Sequence, residues 1–147
     1  MGSSCDFCNR ENFSERIFYE TDLFYWVLGR KPIRPGHTLV IVKRHIQAFD
    51  ELSGLESSAL IFDMRQWLPK LLKTYSATGY NLAANYSLVA GQTIPHFHMH
   101  IVPRGQNESG QEDSVRARLY RDAPEVERPR LEPKSIQEQI AKLTKVD

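Results

Sequence analysis

Along the chain the apolar residues change period several times, and each change predicts an element. Residues 17–20 and 23–28 are short apolar-aromatic runs split by Thr21 and Asp22, the pattern of a hairpin. The stretch Gly29-Arg30-Lys31-Pro32-Ile33-Arg34-Pro35-Gly36 breaks regular structure with two prolines and two glycines. His37 then opens residues 38–42, a β-branched run that fits a strand buried on both faces. Leu60, Met64, Trp67, Leu68, Leu71, Leu72 and Tyr75 recur at three- and four-residue spacing, one broad apolar face of a long helix. Pro69 is expected to kink or interrupt it, and Gly79 to stop it. Residues 80–86 and 97–102 read as two further strands joined by 87–95. Residues 104–133 are polar, charged and dotted with proline, the composition of a mobile loop. A last helix follows, with Ser135 and Glu138 as its capping box and Ile136, Ile140 and Leu143 on one face.

About five strands, one long helix, a short C-terminal helix and no βαβ alternation define an α+β domain built on a mostly antiparallel sheet. Residues 1–104 form the expected catalytic domain. Residues 105–147 are a C-terminal loop and helix, either part of that domain or an appended tail. There is no internal repeat. At 147 residues, with 41% hydrophobic and 25% charged residues, the chain can bury one substantial core. Its net charge of +1 gives no global field for nucleic acid or an anionic membrane, so an anionic ligand needs a local site. No segment approaches the length of an apolar membrane span, and the first residues lack the basic and apolar regions of a signal peptide. Cys5 and Cys8 are too close to staple a secreted fold, so a reduced, cytoplasmic protein is expected.

Chemistry concentrates in Pro95-His96-Phe97-His98-Met99-His100-Ile101-Val102. Alternation with period two places His96, His98 and His100 on one face of a strand and the apolar residues on the other. Three imidazoles on one face can chelate zinc as a catalytic centre, or one can attack phosphorus while its neighbours hold phosphate oxygens. Just upstream, Ala90-Gly91-Gln92-Thr93 offers a glycine for close backbone approach, an amide and a hydroxyl, all neutral donors suited to phosphate. No carboxylate lies nearby to serve as base for a zinc-bound water. Phosphoryl chemistry is favoured.

Residues 90–104 resemble the signature of the histidine-triad family, in which Gly-Gln-Thr or Gly-Gln-Ser precedes three alternating histidines. Residues 32–45, from Pro32 through His37 to His45, resemble the same family's proline-rich turn and following strand. The resemblance covers about residues 5–104 and is strongest to the dinucleoside-polyphosphate hydrolase, or fragile-histidine-triad-like, branch. It implies that His98 attacks the α-phosphorus, forming a nucleotidyl-histidine that water releases. It further implies that His100 contacts a phosphate oxygen or the leaving side and that His37 orients the triad. Asn85, Gly91, Gln92 and Thr93 fall where substrate is bound. In place of the Asp or Asn that usually grips the ribose, this chain has Gly29. The resemblance also turns the Cys5-Asp6-Phe7-Cys8 pair into half of a structural zinc site, completed by His45 and His96, and implies a homodimer. A phosphoramidase or nucleotidyltransferase of the same family is the neighbouring alternative. From another class, the alternative is a zinc-stabilised nucleotide-binding regulatory protein with incidental turnover.

Overall fold

A computed structural model describes residues 4–106 and 128–146. Five strands form one antiparallel sheet: β1 (Ile17–Glu20), β2 (Phe24–Leu28), β3 (Thr38–Val42), β4 (Gly79–Ala84) and β5 (His98–Arg104). Their spatial order is β1-β2-β3-β5-β4, so β5 runs between β3 and β4 while β4 is an edge. Two α-helices complete the described fold, α1 (Gly54–Thr74) and α2 (Pro133–Thr144). No helix among the described residues is long and apolar enough to cross a membrane.

Both faces of the central strands are covered, which explains their unbroken apolar runs. On one face Phe24, Trp26, Val40, Val42 and Ile101 pack against Leu60, Met64, Trp67 and Leu71 of α1. Leu143 of α2 belongs to the same core, with Leu131 and Ile140 packed against it. On the other face Val27 and Ile41 meet Cys5, Phe7 and Phe13 from the N-terminal segment. Because β5 alternates, Ile101 and Met99 turn to the α1 face. His98 and His100 point the other way, opposite Ile41 and Leu39 of β3 in the ladder.

Several boundaries differ from the sequence expectation. Helix α1 runs unbroken through Pro69; that residue and Arg65, one turn before it, are exposed, so the carbonyl that loses its N–H partner lies on the water side. The helix begins with a capping box in which Ser53 and Glu56 exchange bonds to each other's backbone N–H groups, and it ends at Tyr75. Gly79 therefore starts β4 instead of stopping the helix. Helix α2 starts at Pro133 with no side-chain cap; Ser135 lies inside it and accepts a bond from Gln139 Nε2. The apolar face expected of it is present, with Ile136 and Leu143 buried. Of the loop expected over 104–133, Arg104 ends β5, and residues 107–127 lie outside the described residues.

Candidate functional site

The histidines divide into two groups by backbone position. Only His98 and His100 belong to β5; His96 sits in a bend just before it, so the single face expected for all three holds for the latter two. The bend is fixed by pairing with the chain leaving β3: Phe97 N–H donates to the Ile46 carbonyl at 2.6 Å, and Val42 N–H to the Phe97 carbonyl at 3.4 Å. Those bonds bring His96 beside His45. Arg44, the residue before His45, is tied to the start of α1 by two bonds to the Glu56 carboxylate and one to the Glu51 carbonyl. This pairing, with the capping bonds, lowers the Glu56 carboxyl to about 2.

Four donor atoms converge here. Cys5, Cys8, His45 and His96 each offer one, all within 4.8 Å of one another. The two Nδ1 atoms are 3.3 Å apart. Cys5 Sγ and Cys8 Sγ stand 3.4 and 3.5 Å from His96 Nδ1, and Cys8 Sγ 3.2 Å from His45 Nδ1. A tetrahedron with zinc–nitrogen bonds near 2.0–2.1 Å and zinc–sulfur bonds near 2.3 Å has edges of about 3.4 Å between nitrogens and about 3.6 Å between nitrogen and sulfur. The spacings fit that polyhedron. The donor chemistry fits as well: His96 Nε2–H donates to the Val42 carbonyl at 2.6 Å, which leaves the Nδ1 lone pair facing the two sulfurs. Burial raises the pKa of the Cys5 thiol.

The second group is His37, His98 and His100. His98 Nδ1–H donates to the carbonyl of His96 at 2.8 Å, so the bare nitrogen of the neutral ring is Nε2. Ile33 N–H donates to His37 Nδ1 at 3.1 Å, which places the His37 proton on Nε2. That nitrogen is 2.9 Å from His100 Nδ1, so His37 donates and His100 accepts. His100 must then carry its own proton on Nε2. Two histidines two residues apart thus present opposite functions, a lone pair on His98 and an N–H on His100.

Burial keeps all three rings neutral. It lowers His37 to about 3, helped by the charge of Arg128, and it lowers His98. His100 falls well below the usual histidine value through burial and the nearby His37, His98 and Arg128. The segment 29–37 is closed by Gly29 N–H donating to the His37 carbonyl at 2.8 Å. Gly36 makes the turn into β3 with φ +86°, and a Cβ there would lie 2.5 Å from the Tyr75 ring. Phe7, between the two cysteines, sets its ring edge-on to His98 with centroids 4.9 Å apart.

In the loop before the triad, Gly91 adopts the left-handed conformation with φ +87°. Gln92 is buried; its Oε1 accepts from Ser87 N–H and its Nε2 donates to the Gln47 carbonyl, so the amide braces the loop. Asn85 Nδ2 reaches the Gly91 carbonyl at 3.5 Å, and Thr93 is exposed. A cavity of about 400 Å³ opens beside His37 and His100, with Phe7, Phe13, Leu39 and Ile94 among its walls. Phe7, Phe13, Arg16 and Arg128 are the site residues that sequence reasoning passed over. Phe7 alone had a signal, its place inside the cysteine pair. Nothing in the sequence announces that Arg16 or Arg128 reaches the cavity.

A five-stranded antiparallel sheet in this order, with His98 and His100 on the strand next to its edge, defines the α+β class, and residues 10–107 match the HIT domain. The chain belongs to the HIT domain family. It is 34% identical over 107 residues to the asymmetrical bis(5'-nucleosyl)-tetraphosphatase of Schizosaccharomyces pombe, covering 73% of this chain and 59% of that protein. It is 30% identical over 122 residues to the bis(5'-adenosyl)-triphosphatase of Dictyostelium discoideum, covering 83% and 76%. Among solved structures, a zinc-bound histidine triad family protein from Mycobacterium smegmatis superposes with a TM-score of 0.69 at 25% identity, over 96% of this chain and 94% of that one. The chain thus spans about three fifths of the fission-yeast relative's length.

Proposed function

We propose that the protein is a nucleotide hydrolase that cleaves dinucleoside polyphosphates or related nucleotidyl compounds at the α-phosphorus, through a covalent intermediate on His98 Nε2. The observation that carries this reading is the bond from His98 Nδ1–H to the His96 carbonyl, which fixes a neutral ring with its lone pair on Nε2. In the first step that lone pair forms a P–N bond while the bond from phosphorus to the leaving phosphate oxygen breaks, and the oxygen departs with the electron pair. His100 Nε2–H donates to a non-bridging oxygen and stabilises the charge that grows there. His37 is a positioning residue: it holds His100 in the donor tautomer. Water then attacks the same phosphorus, the P–N bond breaks, the water's proton leaves to solvent and His98 returns neutral. Gly91 gives the phosphate close access to the backbone, while Asn85 and Thr93 offer side-chain donors and Gln92 keeps the loop in shape. The names of the relatives support dinucleoside polyphosphates as the substrate class.

Zinc fits Cys5, Cys8, His45 and His96 and, when bound, cross-links the N-terminal segment to the sheet. With all four corners taken by protein, the site is structural in character. The zinc-bound relative supports this assignment. Edge strand β4 exposes Tyr80 and Leu82, a surface on which a second copy could pair to make the homodimer, which light scattering would test.

The deciding experiment is a rapid quench, in alkaline denaturant, of enzyme with a substrate labelled at the α-phosphate. Wild type should retain label on protein, acid-labile as a phosphoramidate, and His98→Ala should retain none. Turnover in His98→Ala within tenfold of wild type would overturn the mechanism.

A further inference from the structure

The four donors that zinc fits do not meet water equally. Cys5 and His96 are buried while Cys8 and His45 are exposed, so the cluster has an inner and an outer edge. A recess of about 350 Å³ opens at the outer edge, with His45, Gln47 and Tyr86 among its walls. A small molecule arriving from solvent meets the sulfur of Cys8 before that of Cys5. The two cysteines are also placed to join. Cys8 N–H donates to the Cys5 carbonyl at 3.1 Å, closing one tight turn, and their sulfurs lie within 4.8 Å of each other. Such a turn keeps its end α-carbons within about 7 Å, and a disulfide spans about 4.4–6.8 Å.

The bond they can form does not replace what the metal does. A cation held by the four donors joins Cys5 to His96, 91 residues away, and Cys8 to His45, 37 residues away. A disulfide between Cys5 and Cys8 encloses a single turn, and a cross-link constrains a chain less as the loop it closes shortens. A tie between the N-terminal segment and the sheet is exchanged for one within the segment. The far end of that segment is held by other means: Phe13 is 1% exposed, and Arg16 Nη1 donates to the Leu28 carbonyl at 2.7 Å. Nearer the cysteines, Arg10 pairs with Glu20 at 2.9 Å on the surface, where an ion pair contributes little. Phe7 lies in the part that depends on the metal. Its ring meets His98 edge to face, centroids 4.9 Å apart, and forms part of the wall of the cavity beside the triad.

We propose that Cys8 is a site of modification by peroxide, at which oxidation joins it to Cys5, releases zinc and frees the Phe7 wall of the cavity. The Cys8 thiolate attacks one oxygen of hydrogen peroxide; an S–O bond forms, the O–O bond breaks and hydroxide leaves, giving a sulfenic acid. The Cys5 thiolate then attacks the Cys8 sulfur; the S–S bond forms, the S–O bond breaks and a second hydroxide leaves. Two protons from solvent turn the hydroxides into water. The sulfurs lose two electrons, the peroxide gains them, and the cation departs as Zn²⁺ with its charge unchanged. The proposal rests on zinc filling the four-donor site, a reading that the metal content of the untreated protein tests by itself.

The full chain as purified is treated with hydrogen peroxide. Zinc is followed with a coloured chelator, the cysteines by mass spectrometry, and the backbone by exchange in deuterated water. Zinc should leave in step with the loss of both thiols, the mass falling by two hydrogens. Exchange over residues 5–12 should rise about tenfold, and over α1 by less. Dithiothreitol with added zinc should restore both, a reversal that oxidised methionine does not show. In a brief exposure with dimedone present, the sulfenic acid adduct should fall on Cys8 about fivefold or more over Cys5. Thiols that oxidise while zinc stays bound would overturn the proposal and leave the zinc site standing. So would zinc release with exchange over residues 5–12 unchanged, an equal rise across α1, or an adduct chiefly on Cys5. Untreated protein without zinc would overturn it together with the zinc reading.

Discussion

His96 and His98 are separated by one residue, yet they turn opposite ring nitrogens to their surroundings. His96 gives its Nε2 proton to the Val42 carbonyl across the sheet, and its Nδ1 faces two sulfurs and a second imidazole. His98 gives its Nδ1 proton to the carbonyl of His96 itself, and its Nε2 is left bare. Neither choice is a property of histidine. Each follows from which backbone oxygen lies within reach, and that is set by the bend at residues 94–96 giving way to the extended strand at His98. In the function proposed above, one ring serves as a metal ligand and the other as a nucleophile, through a difference of backbone geometry over two residues.

That contrast breaks most sharply in paired alanine variants. His98→Ala should lower turnover by about 10⁴-fold, an increase of roughly 5.5 kcal/mol in the barrier, while zinc content and thermal midpoint stay near wild type. Cys8→Ser should do the reverse in order of events: metal is lost first, the midpoint falls by roughly 10 °C, and activity declines with the fold. Metal analysis beside calorimetry on both proteins checks the division. A chelator time course sharpens it, with activity and near-ultraviolet dichroism expected to fall together. Activity lost early and restored at once by zinc would place the metal among the reacting groups.

Acid offers the next test. His37 takes up a proton near pH 6.5 when unfolded and only near pH 3 when folded. Its folded pKa is depressed, so its contribution is fully present above 6.5 and is lost as pH falls from there towards 3. Between pH 7 and pH 5 the loss amounts to about 2 kcal/mol, seen as a drop in the urea midpoint. A His37→Gln variant lacks this titration while keeping the metal ligands, so its stability should fall less steeply over the same interval. The smallest expected effect concerns the contact between the two groups. Phe7→Leu keeps an apolar side chain between the cysteines but removes the ring edge from His98, and should lower turnover about threefold to tenfold with zinc retained. Loss of zinc in that variant would show that Phe7 holds the loop and not the imidazole.

The placement of the strand histidines was legible because it is periodic. Alternation announces His98 and His100 as neighbours on one face, and the break of apolar period at Gly29–Gly36 announces the turn before His37. Element types were readable for the same reason, since burial on one or both faces leaves a repeat of two, of three to four, or none. Boundaries were harder. Pro69 reads as a break, yet Trp67 and Leu71 on either side of it are held in the core and the proline faces water, so packing outweighs the one missing bond. Gln92 reads as a phosphate donor, but its two polar atoms reach Ser87 and Gln47, contacts that arise from loop folding and carry no sequence signature. Arg128 enters the cavity from 91 residues beyond His37, a distance that local pattern does not span.

The position of β5 has a consequence of another kind. Its amides are flanked by β3 on one side and β4 on the other, so they are shielded along both edges. In deuterated water the backbone of His98 and His100 should exchange only when the whole molecule opens, while β1, paired along one edge only, exchanges through local fraying. The groups proposed to act on phosphorus would then sit in the slowest-exchanging part of the chain. Segments that carry Phe7 and Arg128 over them are free to exchange faster, and ligand binding should register there as new protection.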